Sequence, residues 1–127
     1  MEQVTYLDTH TAAWLYGGEI NKLSAKAINL IENSQTLISP IVMLELEYLF
    51  EIRRLNASGK QVVERLIQLV DLQLCDLPFL SVMEYAMQQT WTRDPFDRII
   101  VGHAAVRSST LITKDQLIQA HYPYAFW

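Results

Sequence analysis

Cysteine is nearly missing from this chain: Cys75 is the only one among 127 residues. That excludes an intramolecular disulfide framework and a thiolate-only zinc site. Cys75 itself, in Leu74-Cys75-Asp76-Leu77, reads as a small buried core residue rather than a nucleophile. No apolar run approaches the roughly 20 residues needed to span a bilayer. The start, Met1-Glu2-Gln3-Val4, has no basic region leading into an apolar stretch, so no signal or transit peptide is expected and the cytoplasm is the default location. Basic charge is scarce as well. Ten Lys and Arg against 14 Asp and Glu leave a formal net charge of −4, which argues against nonspecific wrapping of nucleic acid by a basic surface. A nuclease is not excluded, because an acidic balance follows when several carboxylates share one pocket and are neutralised there by a cation. Repeats, low-complexity tracts and linkers are absent too.

Half of the residues are apolar, with charges interspersed, which predicts a packed globule, and the length suits one core and a single domain over residues 1–127. Val4 to Leu7 reads as a buried strand ending at Asp8, followed by a short helix from Thr9 to Tyr16. Ser24 caps a helix over Ala25 to Glu32, and Thr36 to Ser39 is a second strand. Pro40 suits the first turn of a long helix reaching about Leu55. After a turn at Asn56 to Gly59 comes another helix to about Leu69, then a strand over Gln73 to Leu77. A helix from Phe79 to about Trp91, one opened by Asp94-Pro95 and running to about Arg107, and a strand over Thr110 to Thr113 complete the pattern. The aromatic tail, Tyr122 to Trp127, suits an edge strand despite Pro123. Strands separated by helices imply a mainly parallel sheet of four or five strands between helical layers.

Four acids stand out by position. Glu45 has Ile41, Tyr48, Leu49 and Ile52 three, four and seven residues away, so a helix would turn its carboxylate toward the core side. A carboxylate there requires a partner cation, a metal or a raised pKa. Glu47 and Glu51 fall on the opposite face and read as surface. Asp97 begins a stripe continued by Ile100, Val101 and Ala104 and should also point inward. Asp94 is the natural N-cap of that helix, with Pro95 next to it. Asp8 and Asp115 follow the carboxyl ends of strands, where open parallel sheets bind ligands; helix capping or an Asx-turn is the better explanation of either one taken singly. Two carboxylates about 5 Å apart repel by roughly 3 kcal/mol at an effective dielectric near 20, so convergence of all four demands a cation. All-oxygen ligands favour Mg²⁺ or Mn²⁺, and with no His pair at i, i+4 spacing zinc is disfavoured. A metal of that kind suits phosphodiester hydrolysis.

Four stretches together resemble the PIN domain family, and within it the VapC-type toxins of bacterial toxin–antitoxin pairs: Tyr6-Leu7-Asp8-Thr9-His10, Ser39-Pro40-Ile41-Val42-Met43-Leu44-Glu45, Arg93-Asp94-Pro95-Phe96-Asp97-Arg98 and Leu111-Ile112-Thr113-Lys114-Asp115. The resemblance implies an α/β/α sandwich, Mg²⁺- or Mn²⁺-dependent cleavage of RNA, self-association as a homodimer or higher assembly, and inhibition by a small VapB-type antitoxin whose tail enters the active-site groove. Carried onto this chain, it makes Asp8 and Asp97 the principal metal ligands. Glu45 would complete the site or orient water, and Asp115 would ligate through water or hold a second ion. Thr9 and Thr113 would support them, and Asp94 would cap with a secondary role. Arg93, Arg98 and Lys114 are candidates to hold RNA phosphates, with ordinary surface charge as the alternative, and His10 is a candidate substrate contact for which a satisfied structural histidine is the better reading. Trp14, Trp91, Tyr48 and Phe96 read as core or interface rather than base-stacking platforms. Gly102 and His103 stand where the family pattern leads one to expect Ala-Gln.

Other classes fit less well. A haloacid-dehalogenase-type phosphatase wants a second acid two residues after the first, where this chain has His10, and a receiver domain needs adjacent acids near the first strand. A PIN-like module that only binds RNA or protein is the rival from a different class, and the presence of all four acids weighs against it.

Overall fold

Central strands of a parallel sheet are buried on both faces and therefore read as apolar or β-branched runs. Val4–Leu7 (β1) is such a run, with Thr5, Tyr6 and Leu7 all buried. In a computed structural model describing residues 3–127, β1 is the middle strand of five. Met1 and Glu2, part of the start read above for a leader, lie outside the described residues. Thr9–Tyr16 (α1), a 3-10 turn at Ile20–Lys22 and Ala25–Asn33 (α2) lead to Gln35–Ile38 (β2). Pro40–Glu51 (α3) and Gly59–Val70 (α4) lead to Gln73–Leu74 (β3). Phe79–Ala86 (α5) and Pro95–Ala105 (α6) precede Thr110–Ile112 (β4), and Gln116–His121 (α7) precedes Ala125–Phe126 (β5). Strand order is β3-β2-β1-β4-β5, with all pairs parallel. Right-handed crossovers place α1 to α4 on one face and α5 to α7 on the other, an α/β/α sandwich.

The strand order reverses between β1 and β4, where Leu7 pairs with Ile112 and the Asp8 amide donates to the Ile112 carbonyl at 3.2 Å. Chain leaving β1 and chain leaving β4 diverge there to opposite faces, opening a crevice beyond the carboxyl ends of both strands. The core beneath is aliphatic, with Leu7, Ile38, Val42, Leu46, Leu66, Val101, Leu111 and Ile112 almost wholly buried.

Several boundaries differ from the sequence expectation. α3 stops at Glu51, not near Leu55, because Arg53 takes a left-handed φ of 64°. α5 stops at Ala86, five residues short of Trp91, because Arg98 binds the carbonyls of Ala86 (3.1 Å) and Met87 (3.0 Å) and holds the next turn open. β3 covers only Gln73–Leu74, and α7, a helix the sequence pattern did not suggest, begins immediately after Asp115. Glu47 is not plain surface: its Oε1 accepts from the Gly59 amide at 2.9 Å and helps to start α4, alongside a Ser58–Gln61 capping box.

Gly59 brings α4 against α3 so closely that a Cβ there would lie 2.4 Å from the Met43 carbonyl oxygen and 3.1 Å from the Glu47 amide. Both are backbone atoms and cannot swing aside. Gly59→Ala is expected to cost roughly 1–3 kcal/mol through overpacking, read as a lowered midpoint in urea or thermal unfolding. Gly102 does the same for α5 and α6, since its missing Cβ would meet the Val82 carbonyl oxygen at 2.9 Å. This accounts for a glycine at a position where the family pattern suggested alanine.

Candidate active site

Each acid reaches the crevice by a different local route. Asp8 ends β1 and caps α1, its Oδ1 accepting from the Thr11 amide at 2.9 Å. Asp115 caps α7, its Oδ1 accepting from Leu117 (2.8 Å) and Ile118 (3.0 Å). Asp94 caps α6, its Oδ1 accepting from Phe96 at 2.8 Å. The capping reading of Asp8 and Asp115 therefore holds, and both residues also line the crevice, with one carboxylate oxygen engaged by the cap. Asp97 projects from the first turn of α6, below which Ile100, Val101 and Ala104 are buried as expected. Glu45 sits on α3 beside the crevice, but the stated reason needs correcting. Its supposed apolar neighbours Tyr48 and Ile52 are 48% and 44% exposed, and the buried stripe of α3 is Val42 and Leu46. Glu45 lies at the border of that stripe, where α3 meets α1.

The result is an open cleft of about 490 Å³ lined by Asp8, Glu45, Asp94, Asp97 and Asp115 together with Thr9, His10, Trp14, Ile100, Lys114, Gln116 and Ile118. The electrostatics follow from the crowding. Burial pushes Asp97 up to about 7, with Asp94, Asp115, Glu45 and Asp8 each adding repulsion. Burial also raises Glu45, which the Thr9 hydroxyl partly offsets by donating to its Oε1. Asp8 is raised by burial against the pull of Thr11 and Thr113. Thus every acid with a resolved shift is destabilised in its charged form, the reverse of what a site built around protein cations would give. Among the described residues no three such groups close into a finished coordination cage. The acids border a cleft that leaves room for water and phosphate, as suits an ion that keeps part of its hydration shell.

The remaining sequence candidates divide. Thr9 supports Glu45, and Thr113, fully buried, accepts from the Asp115 amide at 3.0 Å. His10 and Lys114 line the cleft. Arg93 and Arg98 do not. They border a separate hollow with Met83, Ala86 and Met87, and their guanidinium groups donate to backbone carbonyls, Arg93 to Thr90 at 3.0 Å and Arg98 to the end of α5. Arg98 thereby ties α6 to the end of α5, where the chain leading to Asp94 begins. His103 is buried, its Nδ1–H donating to the Ile99 carbonyl at 3.3 Å. Trp14 and Gln116 were missed as cleft residues. The signal for Trp14 was its i, i+4 spacing from His10 on a helix that Asp8 begins.

Comparison with known proteins agrees with this geometry. The PIN domain family model matches residues 5–122. "Ribonuclease VapC22" of Mycobacterium tuberculosis is 30% identical over 121 residues, 91% of this chain and 89% of that protein. In fold, the chain is similar to a chain in the crystal structure of VapBC2 from Rickettsia felis bound to a promoter DNA fragment, with TM-score 0.68, 18% identity, and 98% and 96% of the two chains covered. It is also similar to one in a DNA-bound VapBC from Salmonella typhimurium, with TM-score 0.61, 22% identity, and 98% and 96% covered. With the family model matching residues 5–122 and a relative 30% identical over 91% of the chain, this protein is a member of the PIN domain family and of the VapC group within it.

Proposed function

We propose that residues 1–127 act as one Mg²⁺- or Mn²⁺-dependent endoribonuclease domain, the toxin of a toxin–antitoxin pair, working as a homodimer in the cytoplasm and restrained by a small VapB-type antitoxin. The observation that carries the reading is the convergence of Asp8, Glu45, Asp94, Asp97 and Asp115 on one cleft, where burial and the neighbouring carboxylates push Asp97 up. Without a cation, that arrangement is a cost with no return.

The donor set fits a hard divalent ion, being all oxygen: Asp8 and Asp97 as principal ligands, with Glu45 and Asp115 completing the sphere directly or through water. When bound, such an ion would offset phosphate charge and lower the pKa of a bound water. The chain's own groups do the rest. Glu45 has Oε1 engaged by the Thr9 hydroxyl, so Oε2 is the atom that takes a proton from the attacking water. Caps on Asp8 and Asp115 fix their carboxylate planes before substrate arrives. Asp94, whose Oδ1 is committed to α6, supplies charge at the rim. Convergence of the acids weighs against a PIN-like module that only binds. The substrates and partners of the VapC relatives support RNA and an antitoxin as what this chain meets.

The direct test is cleavage of labelled single-stranded RNA. Cutting is expected with Mg²⁺ or Mn²⁺, to cease with EDTA, to return on adding excess metal, and to be lost in Asp8→Asn. Cutting that survives EDTA, or survives in Asp8→Asn, would remove the mechanism.

A further inference from the structure

One wall of the acid cleft is aromatic and basic. Trp14 lines it, half-buried, on the same face of α1 as His10. The indole is braced edge-on by Trp127 at 5.7 Å and 66°, and His10 lies 6.0 Å away. Two ammonium groups stand over it, Lys22 Nζ at 5.8 Å and Lys114 Nζ at 5.9 Å from the ring centroid. Those distances are at the outer edge of cation–π attraction, about 6 Å, so both groups are held loosely. Lys22 is also bonded to Glu19. Lys114 forms no ion pair among the described residues. It is the one lysine or arginine lining a cleft whose other charged side chains are five carboxylates.

RNA entering this cleft must overcome a field of its own sign, and phosphate attraction from Arg93 and Arg98 is not on offer there, because both border another hollow. Stacking on an indole supplies affinity that does not depend on that charge, and it is sequence-tolerant and strong for each base. Trp14 packs against the core and against Trp127, yet part of its indole faces the cleft beside Lys114.

Resting on the ribonuclease reading above, we propose that Trp14 is the stacking platform for a nucleobase flanking the scissile phosphate, and that Lys114 swings from the indole to the phosphate of that nucleotide. Rigid bracing by Trp127 limits the entropy lost when a base docks. Neither residue is a catalytic residue; both act on substrate binding.

The test uses single-stranded RNA of fixed sequence in a series carrying one abasic site at successive positions, with affinity measured in EDTA and KM measured with Mn²⁺. Wild type is expected to lose about tenfold in affinity and in KM at one position of the series. Trp14→Leu is expected to show that loss on intact RNA and then to ignore the abasic site, whereas Trp14→Phe recovers most of the affinity. Lys114→Gln is expected to flatten the dependence of log affinity on log salt by about 0.7, one single-strand phosphate contact. If Trp14→Leu does not fold, the wild-type series and Trp14→Phe decide alone. RNA that wild type cuts with no position sensitive to base removal, or a folded Trp14→Leu that responds to the series as wild type does, overturns the platform. RNA that is bound with one sensitive position but never cut overturns the nuclease and leaves the platform standing.

Discussion

Asp97→Asn is expected to lower RNA cleavage by more than about 100-fold and, above pH 7, to make the protein more stable than wild type. The first effect follows from ligand loss, since changing even the supporting groups of a metal site typically costs 10- to 100-fold. The second follows from proton linkage. Asp97 ionises near 3.8 when unfolded and at about 7 when folded, so between those values the folded chain holds a proton that the unfolded chain has released. Stability from this group is therefore full below about pH 4, falls as pH rises through the window, and is least above about 7. At about 1.4 kcal/mol per pH unit the upper bound is near 4 kcal/mol, and water in the open cleft brings it to a few. The difference in Tm between mutant and wild type should grow from near zero at pH 4 to on the order of 5–10 °C at pH 8 in metal-free buffer. Thermal unfolding of both proteins across that range measures it. A mutant that loses stability at pH 8, or a difference independent of pH, would mean that Asp97 is not held among like charges.

Divalent metal should have the second large effect. An ion that binds only the folded state at about 100 times its dissociation constant adds roughly 2.7 kcal/mol, or on the order of 8–10 °C in Tm for a chain of this size. The gain should be greatest at pH 7 and above, where the acids are free of protons, and should shrink toward pH 5 as Asp97, Glu45 and Asp8, all raised by burial, take protons in competition with the metal. In Asp97→Asn it should mostly disappear. Differential scanning fluorimetry with Mg²⁺, Mn²⁺ and EDTA at several pH values reads this directly. Equal gains in wild type and mutant would assign the metal to some other part of the surface.

Much of this site could be read in the chain because its acids sit at points where local chemistry is distinctive. Asp8 and Asp115 close strands and open helices, and Asp97 heads a stripe of Ile100, Val101 and Ala104 that is buried as the spacing required. Parallel strands separated by helices were enough to imply a sandwich with its crevice beyond the carboxyl ends of the strands, whereas the strand order that puts it between β1 and β4 came from the structure. What escaped was set by contacts between distant segments. Nothing within residues 79–91 says that α5 must end at Ala86; Arg98, eleven and twelve residues further on, decides it by taking the carbonyls of Met87 and Ala86. The same contact turns Arg98 toward the end of α5, and its guanidinium borders the hollow beside Met83 and Met87 rather than the acid cleft. Glu45 was placed correctly on a partly mistaken argument, since an apolar residue three or four positions away need not be buried, as Tyr48 shows. α7 is only six residues long, too short for periodicity to register, although its cap Asp115 was singled out for another reason.

Electrostatics, rather than shape, gives the site its purpose. Caps hold Asp8, Asp94 and Asp115 in place through one oxygen each, so the backbone itself stabilises a gathering of charge that the side chains alone would resist. That stabilisation is local and partial. Protons relieve part of the remainder, as the raised Asp97, Glu45 and Asp8 indicate, and on the proposed reading a cation in the open cleft relieves the rest.

Calorimetric titration of Mn²⁺ into metal-free protein at pH 7, repeated in buffers of different ionisation enthalpy, tests this most directly. Saturable binding with release of protons is expected in wild type, with both the binding and the proton release lost or sharply reduced in Asp97→Asn and in Asp8→Asn. Wild type that takes up no Mn²⁺, or the two variants taking it up as wild type does, would contradict the account.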